Sequence, residues 1–334
     1  MKHLIVGAGA TLAEALALGN SREICPPLIR DFARKTWAEY NPHPYLEEFL
    51  HQLGYKELGS DPRNLFLELE DRGVTNIERF MEFMWKNRNA NFPVNTPLSP
   101  GYISALRIRT PGNANDRPLP FWDNFLYHGI GRPLAFHIGQ CFHKNGVGWR
   151  NLDLTKSVAA MLGPGDLVLN LNYDAIFELA LRQLGRAYRY APGVGRDNEI
   201  AICKPHGSLN MVINAEGFKF GEPEWLGMPQ PKNFYSYTGL IPPRLNKSYD
   251  EHPVAKIILD SIRGRHPSHL AMWGVGLTES DTDLVDLYSG WARDAGGLVD
   301  VINPQKDVAD KVQNLLKCEA RHFVDVASWL AATD

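Results

Sequence analysis

With 334 residues, 44% of them apolar and 22% charged, the chain has the composition of an ordinary globular protein and the length to bury a large core. A formal charge of −3 gives no electrostatic footprint for nucleic acid, and Arg263, Arg265 and His266 make only a short basic cluster. The four cysteines, Cys25, Cys141, Cys203 and Cys318, stand far apart without a C-x-x-C pair, which argues against a disulfide scaffold and a zinc ribbon.

The apolar start, 4–6, reads as a strand leading into Gly7-Ala8-Gly9-Ala10-Thr11 and then a helix over 12–18. Glu14 and the glycines interrupt what could pass for a signal peptide, and no segment approaches 18 unbroken apolar residues. A cytoplasmic protein that spans no membrane is expected. The two glycines allow a tight turn and close backbone approach to a pyrophosphate at a helix start. The third glycine of G-x-G-x-x-G is missing, because Leu12 stands there, and no acidic residue ends an evident second strand about 20 residues on. The residues alone leave a phosphate loop and a plain strand-to-helix turn both open.

From about 45 to 150 the pattern turns helical and irregular. Leu46, Phe49, Leu50 and Leu53 have helical spacing, as do Ile77, Phe80, Met81 and Met84, and both stripes read as core. Thr75-Asn76-Ile77-Glu78 reads as a capping box with the Thr75 hydroxyl at the cap. Prolines, glycines and asparagines over 92–120 predict a long surface loop or cover. This region is expected to be an insert over the active-site side, supplying pocket walls and contacts to a second subunit.

Regular alternation follows: helix 152–162 stopped by Gly163-Pro164, strand 167–171, helix 175–184 closed by Gly185, and strand 200–204. An irregular excursion covers 215–250. Then come strand 270–275, Ser280-Asp281-Thr282-Asp283 as the cap of a helix over 284–295, strand 299–302, and Pro304 at the start of a last helix. Strands alternating with helices predict an α/β fold with a doubly wound parallel sheet, here as one domain over 1–334 carrying the insert.

Two segments place polar side chains directly after apolar runs: Val168-Leu169-Asn170-Leu171-Asn172-Tyr173-Asp174 and Lys204-Pro205-His206-Gly207-Ser208. In open α/β sheets ligands bind outside such carboxyl ends, near a topological switch point. Each residue has a plain reading as well. Asn172 can be a turn or cap residue, His206 a satisfied interior histidine, and Asp174 a first-turn carboxylate favouring the helix dipole. H-x-x-x-H, H-E-x-x-H, G-x-S-x-G and P-loop patterns are all missing, so no metal centre, serine hydrolase or P-loop ATPase is expected.

Taken together, Gly7-Ala8-Gly9-Ala10-Thr11, Asn172-Tyr173-Asp174 with Glu178 one turn later, and Lys204-Pro205-His206-Gly207-Ser208 resemble the sirtuin-like family. So do Ile241-Pro242-Pro243, Trp273-Gly274-Val275-Gly276-Leu277 with Ser280-Asp281, and Val301-Ile302-Asn303. In order and spacing they span nearly the whole chain, and the resemblance is to the bacterial branch of NAD-consuming proteins of anti-phage defence. It implies a Rossmann-like fold of sirtuin type and NAD as substrate.

The resemblance assigns Asn172 to orienting the ribose and its attacking water or hydroxyl, and His206 to acting as general base on a ribose hydroxyl. It assigns Gly7, Ala8, Gly9, Ala10, Thr11, Asp174, Gly274, Gly276 and Asn303 to cofactor contacts. Gly276 stands where the family commonly has serine, and Asn303 can equally be a turn residue before Pro304. Protein-deacylating relatives carry a four-cysteine zinc module, which this chain lacks, so the implied activity is that of an NAD glycohydrolase. Such cleavage passes through an oxocarbenium-like state from which the pyridine departs neutral, so a strong acid is not required. An imidazole of ordinary pKa, about 6.5, suits the base.

Two other readings stand beside it: a non-catalytic sensor of NAD or ADP-ribose, and ADP-ribosyl or acyl transfer to protein. Because the chain ends at Asp334, soon after the last predicted helix, control is expected from homo-oligomerisation or a separately encoded activator. By analogy that activator would be an ATPase or an Argonaute-type subunit.

Overall fold

β1 (Lys2–Val6) runs straight into α1 (Ala8–Ala17), with Gly7 as an extended N-cap. The helix therefore starts earlier than the expected 12–18. Ala8 to Thr11 form its first turn, as the helix propensity of alanine favours. The computed structural model describes residues 1–37, 43–87, 126–144, 148–193, 198–214, 217–224, 237–238, 240–245, 248–277 and 281–333. The loop expected over 92–120 lies outside the described residues.

The helical region begins before 45, with α2 (Phe32–Thr36), and continues through α3 (His43–Gln52), α4 (Pro62–Asp71), α5 (Ile77–Lys86) and α6 (Arg132–Phe142). Asp61 caps α4 by accepting from the Arg63 amide at 3.0 Å, with Pro62 in the first turn. The α5 cap is Asn76, whose Oδ1 accepts from the Arg79 amide at 2.9 Å, and not Thr75 as expected. Thr75 is instead drawn into the protein, 4% exposed, and its hydroxyl makes no hydrogen bond among the described residues. The two predicted stripes form core except at Leu53, which is 38% exposed: Leu46, Phe49, Leu50, Ile77, Phe80, Met81 and Met84 are buried in one cluster with Ile176, Leu179 and Ala180.

Next come α7 (Asp153–Ala160), β2 (Leu167–Asn170), α8 (Ile176–Gln183), β3 (Tyr188–Tyr190) and β4 (Ile200–Cys203). β5 (Met211–Asn214), just before the excursion expected to be irregular, and β6 (Gly217–Phe220) and β7 (Tyr237–Thr238) within it make an antiparallel sheet of order β6-β5-β7. The chain returns through α9 (Pro253–Asp260), β8 (His269–Trp273), α10 (Thr282–Asp294), β9 (Leu298–Ile302) and α11 (Lys306–Leu316). The helix expected to be last is α11, which begins after Gln305; β10 (Glu319–Phe323) and α12 (Val326–Thr333) follow it.

Seven parallel strands in the order β10-β9-β8-β1-β2-β4-β3 form the main sheet. In register, Ile5 lies between Leu169 and Met272. Side chains alternate between faces as the pleat requires. Ile5, Leu167, Leu169, Leu270, Met272, Val299 and Val301 pack with α9, α10 and α11 on one face. Leu4, Val6, Val168, Ile202, Trp273 and Ile302 pack with α1, α7, α8 and α12 on the other. With helices on both faces, the fold is a Rossmann-like α/β architecture. The chain first builds outward from β1 through β2, then crosses to β8 on the other side of β1, so β1 and β8 flank the topological switch point. No helix among the described residues is long and apolar enough to cross a membrane.

Candidate functional site

Because all seven strands run the same way, the loops after β1, β2, β4, β8 and β9 share one edge of the sheet. Every predicted site residue lies in one of these loops or in the first turn of α1. At the switch point the packing is backbone on backbone. Gly7 N–H donates to Trp273 O at 3.0 Å, and Gly9 N–H to Gly274 O at 2.9 Å. A Cβ on Gly7 would lie 2.6 Å from Gly274 O, and one on Gly274, at φ +63, would lie 2.1 Å from Ala10 N. The glycines at 7, 9 and 274 therefore serve loop-to-loop contact. The amides of Gly9 and Ala10 are engaged, the latter with Gly7 O at 2.9 Å, whereas Ala8 and Gly276 are exposed.

The polar network next to this contact has a fixed proton order. Asn172 Nδ2 donates to Gly7 O and to Thr11 Oγ1, both at 3.0 Å, and Thr11 Oγ1 donates to Asp174 Oδ2 at 2.8 Å. A carbonyl can only accept, so the Asn172 amide is oriented with Nδ2 toward Gly7. Its Oδ1 then faces away, buried and without a partner among the described residues, in a side chain that is 6% exposed. The second oxygen of Asp174 accepts from the Ile176 amide at 3.0 Å. Asp174 thus holds the start of α8 and the Thr11 hydroxyl together.

A buried ion pair lies beneath the loop. Lys204 Nζ is 3.0 Å from Glu178 Oε1 and donates to Asp174 O at 2.5 Å, with neither charged side chain exposed. Burial pushes the Glu178 carboxyl up, and Lys204 offsets that shift only in part. Asn170 completes the frame: its Nδ2 donates to Glu178 Oε2 and its Oδ1 accepts the Asn172 amide, both at 3.0 Å. Lys204 on the β4 end and Asn170 on the β2 end therefore couple the two loops that carry His206 and Asn172.

His206 is half-buried. Its Nδ1 lies 3.1 Å from Leu171 O, next to Asn172, and its Nε2 lies 2.5 Å from the Tyr249 hydroxyl. Tyr249 and the roles of Asn170, Lys204 and Glu178 escaped the sequence reading. The polar Asn170 inside an apolar strand was a signal; Tyr249, 43 residues from His206, carried none.

Two other predicted residues, Asp281 and Asn303, lie at this edge. Asp281 does not cap α10 through its side chain. It is 7% exposed and raises the phenol pKa values of Tyr173, Tyr249 and Tyr288, second to burial in each case. Asn303 forms a turn, its Oδ1 accepting from the Gln305 amide at 3.0 Å, while its neighbour Ile302 accepts from Gly274 N–H at 3.1 Å. The described residues also form a cleft of about 450 Å³ away from this edge, between Tyr188, Tyr190 and Phe220, where Arg182 is paired with Glu222 and Glu224. The carboxylate that lines it, Glu222, is tied to Arg182, and its described lining holds no histidine or cysteine, so the strand-end cluster is the better site. No protein-family model and no curated protein matches the chain.

Proposed function

We propose that this chain is a sirtuin-type NAD glycohydrolase, cleaving NAD to nicotinamide and ADP-ribose, and that it acts as an NAD-depleting effector in anti-phage defence. The observation that carries the reading is the Asn172 amide beside the switch point, with both donors placed and Oδ1 left as a buried acceptor. Such an acceptor calls for a hydroxyl or a water. In this reaction nicotinamide leaves as a neutral base. Asn172 Oδ1 orients the water that meets the oxocarbenium-like carbon, and neutral His206, once its Nε2 is released from the Tyr249 hydroxyl, takes up a proton there from a ribose hydroxyl or that water. Glu178, Lys204 and Asn170 hold the two loops in place while charge develops.

The test is chromatographic measurement of nicotinamide and ADP-ribose from NAD with purified protein, alongside NAD levels in cells expressing it. Turnover is expected to fall at least about 100-fold in Asn172→Ala and in His206→Ala. Undiminished turnover in both variants removes the assignment. Draining NAD is toxic, so control by self-assembly or a separately encoded activator belongs to the proposal.

The low exposure of Asn172 and the engaged amides of Gly9 and Ala10 favour a second reading, a subunit that senses NAD or ADP-ribose without turnover. Tight NAD binding with no nicotinamide release in any assembly state would establish that reading. Incorporation of labelled ADP-ribose into protein would instead identify a transferase.

A further inference from the structure

We infer that the segment carrying Tyr249 is an autoinhibitory strap: the tyrosine hydroxyl occupies the nitrogen with which His206 would act as base, and a surface junction between the strap and α5 holds it there. The inference names the control of the proposed reaction and rests on the reading of His206 as its base. The Leu171 carbonyl can only accept, so Nδ1, 3.1 Å away, carries a proton. In the neutral ring the remaining lone pair is on Nε2, and the Tyr249 hydroxyl lies 2.5 Å from it. A protonated ring has no lone pair at all. In either form His206 takes up no proton while Tyr249 is in place. A substrate hydroxyl or water must come within hydrogen-bond reach of Nε2, and the tyrosine, 1% exposed, stands in that position.

The strap is described over 240–245 and 248–252, and it is fastened unevenly. Next to the site, Ile241 N–H donates to His206 O at 2.8 Å, the Tyr173 hydroxyl donates to Ile241 O at 2.6 Å, and the Tyr249 amide donates to Asp283 Oδ2 at 2.9 Å. At the far end the contacts converge on Glu251, whose side chain is 53% exposed. Its Oε2 accepts from Arg244 Nη2 at 3.2 Å and from Trp85 Nε1, on α5, at 3.1 Å. The Arg244 guanidinium lies 4.5 Å over the Trp85 ring, and His252 packs on that ring at 4.6 Å. Arg244 is buried and its Nε has no partner among the described residues, so its charge depends on Glu251. Ion pairs and hydrogen bonds at the surface are individually weak, which makes this junction the part of the strap that yields first. A contact that moves α5 or engages Glu251 therefore shifts the balance from a closed state, with Tyr249 on His206, to an open one with Nε2 free.

The test treats the full-length chain with diethyl pyrocarbonate, which acylates an imidazole only through a free lone pair, and follows each histidine by peptide mass spectrometry. Wild-type His206 is expected to react at least about 10-fold more slowly than His266, whose side chain is 73% exposed. Glu251→Ala and Trp85→Ala should each speed His206 modification by roughly 5- to 10-fold, and NAD turnover without an activator should rise by the same factor. Tyr249→Ala should react faster still; if it does not fold, the two surface variants decide. Wild-type His206 reacting as fast as His266 overturns the inference, as does unchanged His206 reactivity in folded Glu251→Ala and Trp85→Ala proteins. Faster modification with no NAD turnover in any variant sinks the glycohydrolase reading and leaves the strap standing. Raised turnover with unchanged modification does the reverse.

Discussion

Asp300 on β9 and Asn172 after β2 are both buried polar residues of one sheet, and they differ in how completely they are partnered. Asp300, 1% exposed, accepts from Arg321 Nε at 2.7 Å, His269 Nε2 at 2.9 Å and Trp329 Nε1 at 3.0 Å. It joins β8, β9, β10 and α12. Asn172 has its two donated bonds in place and its Oδ1 open. A buried acceptor left without a donor costs about 1–3 kcal/mol, so an open position in an otherwise ordered network marks a place for something that binds. The saturated cluster should therefore register in stability and the open one in chemistry.

The largest effect is expected where both loops of the switch point depend on one residue. Gly274→Ala would put a Cβ 2.1 Å from Ala10 N and 2.4 Å from Gly9 C, on a backbone at φ +63. The cost should exceed about 4 kcal/mol, seen as loss of soluble protein or of a cooperative melt. A variant that melts like wild type would show that the edge tolerates movement, and the fixed geometry of Asn172 would lose its support.

Lys204→Met comes next, because it leaves the Glu178 carboxylate buried beside Asn170 without its cation. Denaturant unfolding should show a loss of about 3–5 kcal/mol, much of it recovered when Glu178→Gln is added. A cost well below 1 kcal/mol would mean the pair does not hold the two loops together.

Asp300→Asn should cost about 2–3 kcal/mol and leave NAD turnover at moderate temperature unchanged. Burial alone would raise the Asp300 carboxyl, but bonds from His269, Trp329 and Arg321 outweigh it and hold the pKa below the usual aspartate value. A carboxylate with a depressed native pKa contributes its stability above the unfolded value, about 3.9, and loses it as pH falls through the lower native one. The gap between wild type and variant should therefore narrow below about pH 4. A gap that stays constant into acid would place the effect outside the charge. Asn172→Ala should invert the pattern, with a stability loss of about 1 kcal/mol against a turnover loss of at least about 100-fold.

The open cluster was more legible in the sequence than the saturated one. Asn172, Asp174 and His206 follow apolar runs, so their place at the strand ends could be read from pattern alone. Asp300 sits inside a strand, and its partners are supplied by β8, β10 and α12. The strand β10, Glu-Ala-Arg-His-Phe, has no apolar run because it lies at the sheet edge, and β3 escaped for the same reason. Glycines were legible as turns, but the contact they allow between two loops was not. Gly7, Gly9 and Gly274 are needed to let two loops touch, which requires knowing that β1 and β8 are neighbours. The α5 cap was misplaced by one residue because Thr75 and Asn76 are both competent caps and only tertiary burial of Thr75 separates them.

The smallest expected effect tests the same loop from the other side. Gly276 lies two residues from Gly274, is exposed, and a Cβ there would meet nothing within 4 Å. Gly276→Ser should change stability by less than about 0.5 kcal/mol. On the proposed NAD reading, the new hydroxyl should serve as one more donor toward a cofactor phosphate. One hydrogen bond of about 0.5–1.5 kcal/mol corresponds to roughly 2- to 10-fold tighter NAD binding, measurable by calorimetry. Weaker binding would argue that the loop after β8 faces away from the dinucleotide, leaving the two glycines to differ only in packing.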